Sequence, residues 1–136
     1  MKKLYTFFAI FTLTAVSAFG ATDYGLTVGG VDVTSDNCSN ITSEHIKKYS
    51  SATDDEYYIK YDPATKTLTF KNILIERTGS YNRAILNEDV DGLKIVFLGK
   101  NELSAEDSSP VRLNNNTTIT VPEGGELRVY GGDEDG

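Results

Sequence analysis

The chain has 136 residues, which bounds it to one domain, and its 39% hydrophobic and 24% charged content excludes a multi-span membrane protein and a charge-dominated disordered chain. Thirteen basic residues against 20 acidic ones leave a net charge of -7, and a surface of that sign repels phosphate backbones, so no nucleic-acid partner is expected. One cysteine, Cys38, and one histidine, His45, exclude an intrachain disulfide and a Cys/His zinc site built within the chain.

Residues 1–20 read as a signal peptide. Lys2 and Lys3 form a short positive start, and the apolar run from Leu4 to Val16 is too short to span a bilayer comfortably. Ala18-Phe19-Gly20 then supplies small residues at the cleavage spacing before Ala21; an uncleaved membrane anchor is the competing reading. Cleavage after Gly20 removes two lysines and leaves a still more acidic chain. The expected location is secreted or on the cell surface, with no membrane insertion after cleavage. Cys38 then travels unpaired into an oxidising compartment, where burial keeps it inert.

Residues 21–56 are expected to hold an N-terminal strand and an irregular cap segment. Leu26, Val28, Val31 and Val33 flank Gly29-Gly30 as a strand pair or a bulged strand. Ser43 to Tyr49 is the one stretch with helical character, a single short turn.

Residues 57–136 are expected to form a β-hairpin and then stacked rungs. Tyr57 to Tyr61 and Thr67 to Lys71 flank Asp62-Pro63-Ala64-Thr65-Lys66, where Asp-Pro starts a type I turn. Three units follow at spacings of 27 and 24 residues (70 to 97 to 121). The first offers Leu68, Phe70, Ile73 and Ile75 to a core, with Ile85 behind it. The second offers Leu93, Ile95, Phe97 and Leu103, with Val111 and Leu113; the third offers Ile119, Val121, Leu127 and Val129. Units of this length with short strands predict a stacked solenoid in which each layer buries its neighbour's apolar face. Asn72, Asn87, Asn101 and Asn114 fall at turns, where stacked amides are expected to bond to one another. An antiparallel β-sandwich is the alternative, since it also has short strands at regular spacing. After Tyr130 the run Gly131 to Gly136 offers little to cap a last rung. The expectation is a monomer, or edge-to-edge association through an uncapped C-terminal rung; a truncated longer protein explains the same feature.

Several of these segments are also similar to a known family. Tyr24 to Val28, Val31 to Ser35, Asn40 to Thr42, Tyr61 to Thr69 and Asp91 to Ile95 together resemble secreted bacterial carbohydrate-binding right-handed β-helix proteins. The resemblance spans nearly all of the chain after residue 20, and its motifs are turns and strands. It implies an all-β, right-handed parallel β-helix of about three rungs with an N-terminal β-hairpin cap, stabilised by calcium and binding plant-type polysaccharides such as cellulose or pectic acids. Glu44 to Glu56 departs from the short glycine-rich linker of that pattern, and further rungs are absent.

The residues themselves nominate one metal loop. Asn87, Asp89 and Asp91 offer oxygen ligands at alternate positions before Gly92, a pattern that suits Ca2+. It is not an EF-hand, because Leu98 stands where the twelfth ligand would be; a plain solvated turn is the alternative. For sugar stacking, Tyr58 is expected on the face opposite Ile59, and Tyr81 is the second candidate ring. No catalytic set is expected. Lys94 and Arg128 face outward from their strands, but nothing ties either to the acidic turn, and His45 lacks a nucleophile partner. The expected function is therefore non-catalytic, calcium-assisted polysaccharide binding outside the cell. The alternatives are a structural or adhesive surface module and a truncated polysaccharide lyase-like protein.

Overall fold

The computed structural model describes residues 20–132, so the signal peptide expected at 1–20 lies outside the described residues except for Gly20, as does the acidic run Asp133 to Asp135. The described chain is built from twelve strands. They are β1 (Asp23–Val28), β2 (Val31–Thr34), β3 (Ile46–Lys48), β4 (Tyr58–Asp62), β5 (Thr67–Lys71) and β6 (Ile73–Arg77). Then come β7 (Ile85–Asn87), β8 (Leu93–Leu98), β9 (Lys100–Ala105), β10 (Val111–Leu113), β11 (Thr117–Thr120) and β12 (Glu126–Gly131). The short helical turn expected over Ser43 to Tyr49 is a strand instead, because Ile46 to Lys48 pair with Ile75 to Ile73 on β6.

Tight turns set the N-terminal pairings. Gly29 and Gly30 both take positive φ, at 58° and 85°, which lets β1 reverse into β2 over two residues. Asp62 opens the next reversal by accepting the Ala64 N–H at 3.0 Å, and Pro63 presets the following angle. That turn joins β4 to β5 antiparallel, with Ile59 opposite Phe70 and Tyr61 opposite Leu68.

The strands form three open sheets of four, ordered β10-β7-β1-β2, β11-β8-β5-β4 and β12-β9-β6-β3. Five pairings are parallel and four antiparallel, and every sheet contains both kinds. The uniform right-handed parallel β-helix with about three rungs, expected from the sequence, is therefore corrected to an all-β arrangement of three open mixed sheets. It is sandwich-like in that the sheets bury their inner faces in one shared core. The tight turns at Gly29-Gly30 and Asp62-Pro63 return β2 and β5 antiparallel, and β1 and β3 meet β7 and β6 antiparallel through contacts between distant segments of the chain. The spacing read from the second half reappears as parallel register, with Leu68 opposite Ile95 and Ile95 opposite Ile119.

The core draws on all three sheets. Leu26, Val28 and Val33 meet Ile59, Leu68, Phe70, Ile73, Ile75, Ile85, Leu93, Ile95, Phe97 and Leu103 in one buried cluster. Phe70 and Phe97 stack with ring centroids 4.8 Å apart and planes inclined by 22°. Of the expected core, Val111, Leu113 and Leu127 are only partly buried, and Ile119, Val121 and Val129 are exposed. Ile119 and Val129 stand in register with the buried Ile95 and Leu103, and Val121 follows β11, but β10, β11 and β12 are the outermost strands of their sheets and nothing lies beyond them among the described residues.

The asparagine expectation is also corrected. Asn72, Asn87 and Asn101 are buried, and their amides bond to backbone groups and to Thr117 instead of to one another. Backbone N–H groups at the sheet corners lack strand partners, and a side-chain amide is the shortest way to satisfy them. Asn114 is exposed and accepts from Arg112 Nε at 3.2 Å.

Candidate functional site

The outer face of the β11-β8-β5-β4 sheet carries its side chains in continuous register across four strands. Alternation turns Ile59, Leu68, Phe70, Ile95 and Phe97 inward, so their strand neighbours point out. Register then arranges the outward residues in rows across the strands. One row runs Asp62, Thr67, Lys94, Thr118; the next runs Lys60, Thr69, Val96, Thr120. Thr67 and Thr118 stand two strands apart, about 10 Å. Two rows of hydroxyls therefore flank a strip of β8, with lysines at both levels.

A groove of about 630 Å³ opens at the β4–β5 end of this face. Lys60, Asp62, Thr65, Thr67 and Thr69 line it, with Cys38 on its far wall. Thr65 Oγ1 donates to Thr67 Oγ1 at 2.9 Å. Cys38 is half-buried; its backbone carbonyl accepts the Tyr61 N–H at 2.7 Å, which ties the preceding loop to β4. Tyr61 itself is buried beneath the groove, its ring 5.3 Å from that of Tyr24. Burial first, and then Tyr24, pushes the Tyr61 hydroxyl above the usual tyrosine range, so it stays a neutral donor and acceptor.

Of the expected stacking rings, Tyr58 lies on this face. It is half-buried, and Lys60 Nζ sits 4.6 Å from its ring centre, so the ammonium covers part of the aromatic surface. Tyr57, just before β4, is more exposed than Tyr58. Tyr81 is 82% exposed, but it stands at positive φ in the connection between β6 and β7 and lines no part of the groove. The two candidate rings are not brought to one site.

Behind the groove, Lys71 is held by Glu56 at 2.7 Å and Asp54 at 3.0 Å. These bonds raise the Lys71 ammonium above its ordinary range, Glu56 contributing more than Asp54. The Asp54 carboxyl is lowered chiefly by the Glu56 backbone N–H and next by Lys71. Lys94 is exposed, and its backbone N–H donates to the Lys66 carbonyl at 2.8 Å.

The acidic turn is shaped differently from a calcium loop. Asn87 is fully buried; its Oδ1 accepts the Val90 N–H at 2.9 Å and its Nδ2 donates to the Val90 carbonyl at 2.8 Å. The amide oxygen expected to bind metal is thus spent on closing the turn. Asp89 packs over the bare α-carbon of Gly25, and the Asp91 carbonyl accepts from Lys66 Nζ at 2.9 Å. Asp89 and Glu88 instead join Asp23 and Asp32 around a smaller hollow of about 310 Å³ with no basic lining residue. Among the described residues, no group of three or more His, Cys, Asp or Glu side chains is placed to hold a metal ion. Asn87, Asp89 and Asp91 therefore do not fit a calcium ion as a set. His45 rests 3.4 Å from Glu44 and meets no nucleophile in that contact.

The threonine rows escaped sequence reading because no single strand contains them. Alternation within each strand was visible, but a row exists only once Thr69 is known to lie opposite Lys60 and Val96. No family model matches this chain, and neither a curated protein nor a solved structure shows significant similarity to it.

Proposed function

We propose that the protein is a non-catalytic binder of neutral extracellular polysaccharide, which lies along the outer face of the β11-β8-β5-β4 sheet. The observation that carries this reading is the pair of rows that sets Thr67 and Thr69 across β8 from Thr118 and Thr120, beside a groove bordered by Lys60 and Asp62. Hydroxyls that both donate and accept suit the hydroxyls of a sugar chain. Their spacing of about 10 Å across β8 is on the scale of a disaccharide. Tyr58 with Lys60 forms one end, where a ring edge and an ammonium meet the sugar.

A neutral glycan is favoured over a polyuronate because the chain carries a net charge of -7 and the expected calcium ligands do not assemble. The signal-like residues 1–20 support a location outside the cell.

The test is a panel of neutral and uronate polysaccharides presented to residues 21–136, with and without EDTA. Binding to a neutral glycan that survives EDTA and falls at least tenfold in the Thr67→Val/Thr69→Val double variant supports the reading. Absence of binding to every glycan overturns it and leaves a structural surface module; binding to polyuronates alone, abolished by EDTA, overturns the choice of ligand.

A further inference from the structure

Tyr81 breaks a local rule of turn chemistry. The Asn82 N–H donates to the Gly79 carbonyl at 3.3 Å and closes a turn over Gly79, Ser80, Tyr81 and Asn82. Tyr81 holds a φ of 65° at its third position while Ser80 keeps a negative φ, which makes the turn type II. Glycine suits that position because a side chain there crowds the backbone, and a bulky ring is the least suited. The turn is nevertheless held firmly against the connection between β9 and β10. Gly79 N–H donates to Asp107 Oδ2 at 3.3 Å, the buried Ser108 hydroxyl to the Asn82 carbonyl at 2.9 Å, and Arg83 Nη1 to the Ser109 carbonyl at 2.8 Å. The ring itself remains 82% exposed, so no burial offsets the strain. A strained residue that the surroundings fix in place, without a packing role, marks a site that acts on something outside the chain.

We infer that Tyr81 is a second carbohydrate contact and that one molecule thereby bridges two neutral polysaccharide chains; the inference rests on the glycan reading given above. Position supplies the separation. Tyr81 lies between β6 and β7, strands of the two sheets that do not carry the threonine rows. Three sheets around one core set the corner between two of them across the core from the third. A sugar chain lying on the threonine face therefore does not also cover Tyr81. The surroundings of the ring select a sugar over a protein partner. An aromatic anchor of a protein interface sits among other apolar side chains that exclude water. The side chains of and beside this turn, Thr78, Ser80, Asn82, Arg83 and Asp107, are polar or charged instead. One flat ring framed by hydroxyl, amide and charged groups matches one pyranose, whose C–H face stacks on the ring while its hydroxyls meet the polar neighbours.

The experiment pairs two readouts on residues 21–136 with the soluble neutral polysaccharides of the panel, hydroxyethylcellulose, galactomannan and xyloglucan among them. Retardation in gels that contain the polysaccharide reports binding, and light scattering of the mixture reports bridging. With a glycan that retards the protein, scattering is expected to rise on addition of protein, to peak, and to fall again in excess. Tyr81→Gly and Tyr81→Ala should each lower the peak at least fivefold while both variants are still retarded through the threonine face; Tyr81→Phe should keep the peak within twofold. Urea unfolding gives a check that needs no glycan. Tyr81→Gly should raise the midpoint, because glycine relieves the backbone, whereas Tyr81→Ala should not. A lower midpoint in Tyr81→Gly would show that the ring is kept for packing and overturns the proposal. Retardation without scattering, or scattering indifferent to Tyr81→Gly, overturns the bridge and leaves the glycan reading intact. Retardation by no member of the panel overturns the glycan reading and the bridge with it.

Discussion

Asn72 and Asn101 each accept a hydrogen bond from the other's chain neighbour. The Lys100 N–H donates to Asn72 Oδ1 at 2.9 Å, and the Ile73 N–H donates to Asn101 Oδ1 at 3.0 Å. The Nδ2 groups complete the pattern, Asn72 donating to the Glu56 carbonyl and Asn101 to the Leu98 carbonyl, both at 2.8 Å. The corners where β5 bends into β6 and β8 into β9 are thereby joined by two bonds, and each amide makes one further bond of its own.

Replacing either amide exposes this reciprocity. Asn101→Ala strands a buried Ile73 N–H and is expected to cost about 1–3 kcal/mol in urea unfolding. Asn72 also sits at a φ of 54°, a region that penalises alanine more than asparagine. Asn72→Ala is therefore expected to cost more than Asn72→Gly, because glycine removes the bonds without adding the backbone penalty.

The stacked rings of Phe70 and Phe97 are the largest fully buried side chains among the described residues. Phe97→Ala is expected to destabilise by about 3–5 kcal/mol, through lost burial and the cavity left behind. In a double-mutant cycle with Phe70→Ala, a coupling of about 0.5–1.5 kcal/mol should remain as the contribution of the stack. Additive losses would show that the two rings contribute only their separate areas.

The column that runs from Ile95 to Ile119 gives a graded version of the same test. Ile95→Ala removes a fully buried side chain and should cost about 2–5 kcal/mol; Ile119→Ala, at half the burial, should cost about half as much. Equal costs would mean that this end is closed in the isolated chain.

The carboxyl of Asp54 supplies a pH signature. Its folded value lies below the ordinary 3.8, so the linked stability is present above that value and is lost as pH falls through the folded one. Carbonyl NMR titration should show the depressed value in the native chain. Lys71→Met should raise it only partway, because the Glu56 N–H still donates to Asp54 at 2.9 Å. Full return to the ordinary value in that variant would place the whole effect on the ammonium.

Strand positions were legible along the chain because alternation and turn chemistry are local. Tyr61-Asp62-Pro63 announced its hairpin, Ile59 and Phe70 announced their inward faces, and Asn72, Asn87 and Asn101 announced the corners. The spacings from Leu68 to Ile95 to Ile119 foretold which residues of the C-terminal strands meet. Pairing direction in the N-terminal half depended on contacts between distant segments, such as β3 against β6 and β1 against β7, and no local pattern encodes those. The same holds for the candidate site. A lone Thr67 or Thr120 is an ordinary strand former; only the lateral register across β8 makes the two part of one surface. Asn87 shows the converse, a residue with a ligand's chemistry whose oxygen is consumed by a backbone N–H three residues ahead. Sequence specifies what each side chain is able to do, and the folded neighbourhood settles which capacity is left free, since every buried polar group must first satisfy its own hydrogen bonds.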